Sequence, residues 1–108
     1  MDKTTAINVA HQYAEEVIKE MTPDRILLFG SYAKGNANEE SDIDIAVIFD
    51  GFKGDWFRAC KRLSSLTWEV NTSIEPVLLD SRDDKTGFVE EVLRYGEMIY
   101  QNSNLETD

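Results

Sequence analysis

Two apolar runs joined by a polar loop constrain this chain more than any other feature. The first is Ile26-Leu27-Leu28-Phe29, and it ends abruptly at Gly30-Ser31. Ten residues later comes Asp42-Ile43-Asp44-Ile45-Ala46-Val47-Ile48-Phe49. An unbroken apolar run without alternation predicts a strand covered on both faces. Gly30 permits a sharp turn and a close approach of backbone to a ligand. Ser31 adds a hydroxyl, and the N–H groups after it can point at an anion. Gly35, Asn36 and Asn38 are turn formers in the loop. In the second run, the strand period of two puts Asp42 and Asp44 on one face and Ile43, Ile45 and Val47 on the other. Two carboxylates spaced this way lie roughly 7 Å apart along the strand. Hard divalent cations bind such oxygen pairs; without one, the like charges repel.

A third strand is expected over 73–79, with Ser73, Glu75 and Val77 on one face and Ile74, Pro76 and Leu78 on the other. A carboxylate in an apolar strand costs energy unless something compensates it. If this strand lies beside the second, Glu75 faces Asp42 and Asp44. Pro76 has no N–H for a ladder, which points to a sheet edge. The plain alternative for Glu75 is an exposed glutamate on that edge.

Helices fill the intervals. Ile7, Ala10, Tyr13, Ala14, Val17, Ile18 and Met21 form one stripe, predicting a helix over 4–21 capped by Thr4 or Thr5 and stopped at Thr22-Pro23-Asp24. His11 beside the stripe reads as an ordinary surface histidine. A short helix after Ser31 would turn its N-terminus toward bound phosphate, with Lys34 in reach of it or simply solvated. Asp50-Gly51 is a turn, and Asp55 is placed to cap a helix over about 55–71 with Trp56, Phe57, Cys60, Leu63, Thr67 and Val70 inward. Arg58, Lys61 and Arg62 fall on its solvated side. A last helix over about 84–95 would bury Phe88, Val89, Val92 and Leu93 and end at Gly96, before a short strand at Met98-Ile99-Tyr100. One domain over 1–100 and a frayed tail over 101–108 follow.

The 108 residues suffice for one core. Eleven basic residues against 21 acidic ones give a net charge of −10, which argues against direct nucleic-acid binding and against an anionic membrane surface. A basic protein partner suits it better. Cys60 is the single cysteine, so no internal disulfide forms; a reducing, cytoplasmic setting is expected. The polar start MDKTT lacks the layout of a secretory leader, and no apolar run approaches the ~20 residues of a membrane span.

Gly30-Ser31, ten intervening residues and Asp42-x-Asp44, followed by a carboxylate on a later strand, resembles the signature of the minimal nucleotidyltransferases. These are the small branch of the DNA polymerase beta-like nucleotidyltransferase superfamily. The resemblance runs from about Pro23 to Tyr100 and implies an α/β (α+β) fold, a small mixed β-sheet with helices packed on it. It also implies transfer of a nucleotidyl group from a nucleoside triphosphate, with ATP as the substrate. On this reading Asp42, Asp44 and Glu75 are the catalytic carboxylates and hold two Mg²⁺ ions, while Gly30 and Ser31, with Lys34, hold the triphosphate. The family usually has Asp where this chain has Glu75.

The chain carries no acceptor-binding domain of the kind larger superfamily members have, so the acceptor is expected on a partner. Minimal nucleotidyltransferases are typically paired with HEPN-domain proteins, and the toxin–antitoxin version adenylylates a tyrosine of its toxin partner. The resemblance implies this role, in a homo- or hetero-oligomer. Two alternatives stand beside it: an antitoxin that works by contact alone on a vestigial site, and a small-molecule nucleotidyltransferase whose acceptor-binding part is a separate subunit.

Overall fold

The computed structural model describes residues 1–103. Eight elements follow in chain order: α1 (Lys3–Ile18), β1 (Arg25–Phe29), α2 (Ser31–Lys34), β2 (Ile43–Phe49), α3 (Trp56–Val70), β3 (Ile74–Asp80), α4 (Phe88–Tyr95) and β4 (Glu97–Gln101). The four strands make one mixed sheet in the order β3-β2-β1-β4. β1 pairs antiparallel with β2 and with β4, and β2 pairs parallel with β3. Among the described residues no helix is long and apolar enough to cross a membrane.

Strand alternation sorts the core into two layers. Ile26, Leu28, Ile43, Ile45, Val47, Ile74 and Leu78 pack against Ala6, Ala10, Tyr13, Ala14 and Val17 of α1 and Leu63 and Leu66 of α3. Leu27, Ala46 and Ile48 on the opposite face pack against Val89 and Val92 of α4. The buried Tyr13 hydroxyl donates to the Leu63 carbonyl at 2.7 Å, tying α1 to α3. The central strands are thus covered on both sides, as the unbroken run 26–29 predicts.

The edge expected from Pro76 is there. Ile43 N–H donates to the Ser73 carbonyl at 2.9 Å, which fixes the phase of the parallel ladder. Odd-numbered β3 residues turn their backbone groups to β2, and Pro76 turns its missing N–H to the open side.

Several helix readings shift. Asp2, not Thr4 or Thr5, caps α1, accepting from Thr5 N–H at 2.8 Å; its side chain sits one turn ahead of the first buried residue, Ala6. The helix ends at Ile18, which is 40% exposed. Asp55 caps α3 as expected, accepting from Arg58 N–H at 3.0 Å. Trp56 and Phe57 are exposed, however, and Leu66 takes the buried place. Leu93 of α4 is also exposed. Gly96 does end α4, but in an extended conformation (φ −79°, ψ 167°). Its need for glycine is steric: a Cβ there would come within 2.6 Å of the Val92 carbonyl oxygen and 3.1 Å of that of Leu28. β4 reaches Gln101, which pairs with Arg25, and Asn102 N–H donates to the Asp24 carbonyl at 2.9 Å. The rest of the tail, 104–108, lies outside the described residues.

Candidate active site

The site lies at the end of the sheet where β1 runs out and β2 begins. The register puts Phe29 opposite Asp44, and Asp44 beside Glu75, in one row across three strands. These side chains point to the same face as Leu27, Ala46 and Val77, the face that α4 covers lower down. The last turn of apolar residues stops at this row, and carboxylates take over. Asp42 stands one residue ahead of β2 and is exposed; Asp44 is half-buried and Glu75 exposed.

Gly30 completes the row. It is the residue before α2, with φ 73° and ψ −147°, a conformation open in practice to glycine alone. A Cβ at this position would collide with the Asp44 carboxyl, whose Cγ lies 3.1 Å from the place it would occupy. The loop backbone thus runs against the carboxylate. Ser31 is half-buried as the first residue of α2, and Lys34 is exposed as its last. Gly35 closes the turn in the left-handed conformation, its N–H directed back at the Tyr32 carbonyl.

Burial, and then the charges of Asp42 and Glu75, push the Asp44 carboxyl above the ordinary carboxylate range. Nothing opposes that push: among the described residues no lysine or arginine pairs with any of the three. Three uncompensated carboxylates on one face are a standing electrostatic cost. Among the described residues no three carboxylate, imidazole or thiolate groups converge tightly enough to make a ready metal site. The donor set nonetheless fits a hard divalent cation, being all carboxylate oxygen, with two of the three side chains exposed and able to turn.

The remaining candidates fall elsewhere. His11 is exposed on α1, away from the row. Cys60 is half-buried on α3, and burial raises its thiol, the opposite of what a nucleophile needs. Arg62 is held by Glu20 in a two-pronged pair with both distances 2.6 Å. Three aromatic residues beside the site were not readable as site residues in the sequence: Phe29, Phe88 and Tyr95. Phe29 and Phe88 stack edge to face with centroids 5.7 Å apart. The available signal was the position of Phe29 directly before Gly30.

The profile of the polymerase beta nucleotidyltransferase family matches residues 12–105. A Methanocaldococcus jannaschii protein named "Putative protein adenylyltransferase MJ0141" is 33% identical over 75 residues, spanning 68% of this chain and 75% of that one. A solved structure described as a "putative minimal nucleotidyltransferase" superposes with a TM-score of 0.65 at 27% identity, covering 89% of this chain and 94% of that one. A chain from the complex of a tri-AMPylated Shewanella oneidensis HEPN toxin with an MNT antitoxin shares the fold, with a TM-score of 0.58 at 21% identity over 93% of this chain and 76% of that one. The chain belongs to the polymerase beta nucleotidyltransferase family, in its minimal branch.

Proposed function

We propose that this nucleotidyltransferase moves AMP from ATP to a tyrosine hydroxyl of a HEPN-domain partner, in a Mg²⁺-dependent reaction, and serves as the antitoxin of that partner. The observation that carries the reading is the row of Asp44 and Glu75 beside Gly30, like charges held together without a cation of the chain to offset them. The protein-acting part is supported by the naming of the M. jannaschii relative as a protein adenylyltransferase. The HEPN partner is supported by the fold shared with a complex of an AMPylated HEPN toxin.

In the reaction, the acceptor oxygen bonds to the α-phosphorus and the bond to the bridging oxygen breaks, releasing pyrophosphate. Gly30 and Ser31 offer backbone N–H groups and a hydroxyl to the β- and γ-phosphates, at a point where the absence of a Cβ allows close approach. Lys34, three residues on, adds a cation toward the same phosphates. Asp42 and Asp44 would hold two Mg²⁺ ions, and Glu75 would help to hold them. Bound there, the cations supply neutralisation of charge on the phosphate oxygens. Glu75 is exposed beside Asp44 and stands to take the proton of the acceptor hydroxyl.

The test uses α-labelled ATP, Mg²⁺ and the protein encoded beside this chain. Wild type should label that protein, and the Asp42→Asn, Asp44→Asn double variant should not. Tight binding of the partner with no label from either protein would overturn the catalytic reading and leave a contact-only antitoxin.

A further inference from the structure

The outer face of α3 carries side chains that a solvated helix does not need. Phe57, Lys61, Ser64 and Trp68 follow one another at spacings of four, three and four, so they stand in one line along the helix. All four are exposed, Trp68 at 80% and Phe57 at 73%. Leu63, Leu66 and Thr67 are the buried residues of α3, so the line faces away from the core. Large exposed apolar groups gathered on one face mark a contact surface. The two halves of this face differ in shape. The N-terminal half holds a hollow of about 410 Å³ between Phe57, Arg58 and Lys61, with the Lys61 ammonium 5.7 Å from the centre of the Phe57 ring. The C-terminal half carries Trp68 as a projecting indole, with Glu69 next to it.

We propose that this face docks on the same face of a second copy of the chain, the two α3 helices lying antiparallel about a two-fold axis. Shape is the first argument. Knob and hollow sit on one helix, about 16 Å apart at 1.5 Å per residue. An antiparallel pair with its axis between Arg62 and Leu63 sets Trp68 of each copy level with the other's Phe57. Both hollows are then filled at once, and the contact closes at two chains. The indole meets an aromatic ring and two cations, which suit a tryptophan anchor. Asp55, the acidic residue of the hollow, is already engaged as the cap of α3. Lys61 comes level with the small Ser64 of the partner, which leaves it room. Charge is the second argument. Among the described residues neither Arg58 nor Glu69 belongs to an ion pair of its own chain. In the antiparallel pair each Arg58 lies within two residues of level with the partner's Glu69, giving two rim pairs of opposite sign. The third argument is repulsion between copies. The chain as a whole is at −10, whereas α3 has three basic residues (Arg58, Lys61, Arg62) and one acidic (Glu69), a net of +2. Two acidic molecules meet at least cost through such a surface.

Sedimentation equilibrium at micromolar to millimolar concentration tests the pairing. Wild type should move from the 12.3 kDa of one chain to twice that mass. Trp68→Ala should raise the dissociation constant by at least about 30-fold, the loss expected of a hot-spot anchor. Its circular dichroism should stay that of wild type, because the side chain lies outside the core. Arg58→Glu and Glu69→Arg should each weaken the dimer by roughly 2- to 30-fold, the range for two exposed ion pairs. Mixed in equal amounts, these two variants should pair with each other as tightly as wild type, because every rim pair is again opposite in sign. A wild type that stays monomeric at millimolar concentration, a dimer indifferent to Trp68→Ala, or no rescue in the mixture would overturn the antiparallel pairing. A monomeric wild type that binds the protein encoded beside it through Trp68 would overturn it too, and give the face to that partner.

Discussion

Gly30 and Asp44 bind each other to their roles through a single steric fact. The backbone of Gly30 sits at φ 73°, ψ −147°, and any Cβ there meets the Asp44 carboxyl. Gly30→Ala therefore carries two penalties, a backbone conformation costing about 1–3 kcal/mol and displacement of the carboxylate. We expect a lower urea midpoint and loss of measurable transfer. An unchanged midpoint would show that the loop can refold around the methyl group. Asp44 itself should behave in the opposite sense. Its carboxyl is raised by burial and by the charges of Asp42 and Glu75. The folded state then holds the proton more tightly than the unfolded chain does, so stability falls as pH climbs from the ordinary carboxylate value of 3.8 through the raised one. Above that window the cost is fully present. Asp44→Asn removes it. The variant should melt higher than wild type at pH 7 and lose that advantage at pH 3, while transfer drops by at least about 10²-fold. Thermal melts across pH check the first part. A variant that melts lower at pH 7 would mean that the carboxylate is a net structural asset, contrary to this argument.

Elements were legible where chemistry and periodicity agreed. Alternation around Asp42-Ile43-Asp44-Ile45 gave β2 and its two faces, and Pro76 marked β3 as an edge. The Asp55 cap was readable for the same reason, a lone acceptor before a helical pattern. Asp55→Ala should cost about 1 kcal/mol, read as a shifted chemical-denaturation midpoint without change in transfer. On α3, Leu63 and Thr67 are buried as expected, whereas Trp56 and Phe57 are not, because the helix carries large aromatics on more than one side. Hydrophobicity cannot rank Trp56, Phe57, Leu66 and Trp68 for burial; packing under α1 selects Leu63 and Leu66 and leaves Trp68 at 80% exposed and Phe57 at 73%. The direction of strand pairing was likewise hidden. Nothing local says that β2 meets β1 antiparallel and β3 parallel, yet that choice is what sets Phe29, Asp44 and Glu75 in one row. The aromatic group beside Gly30 depends on the docking of α4, which Gly96 permits by lying against the Leu28 carbonyl. A sequence pattern carries no signal for that approach.

At the scale of the whole molecule, the carboxylate row belongs to a chain that is already strongly acidic, at −10. Any cation would relieve some self-repulsion, so a stabilising effect of salt alone says little about the site. The distinction lies in stoichiometric binding against screening. A ligand at a hundredfold excess over its dissociation constant stabilises the folded state by about 2.7 kcal/mol. For a domain of this size each kcal/mol moves the melting point by about 4–8 °C. Mg²⁺ with a non-hydrolysable ATP analogue should therefore raise the melting point of wild type by roughly 10 °C or more. Sodium chloride at the same ionic strength should give only the small screening effect. In the Asp42→Asn, Asp44→Asn variant two of the three carboxylates are gone, and the Mg²⁺–analogue mixture should do no more than sodium chloride does. Equal Mg²⁺-dependent shifts in wild type and variant would place the cation elsewhere on the acidic surface and remove these aspartates from its coordination. A shift confined to wild type ties cation, nucleotide and the carboxylate row to one binding event.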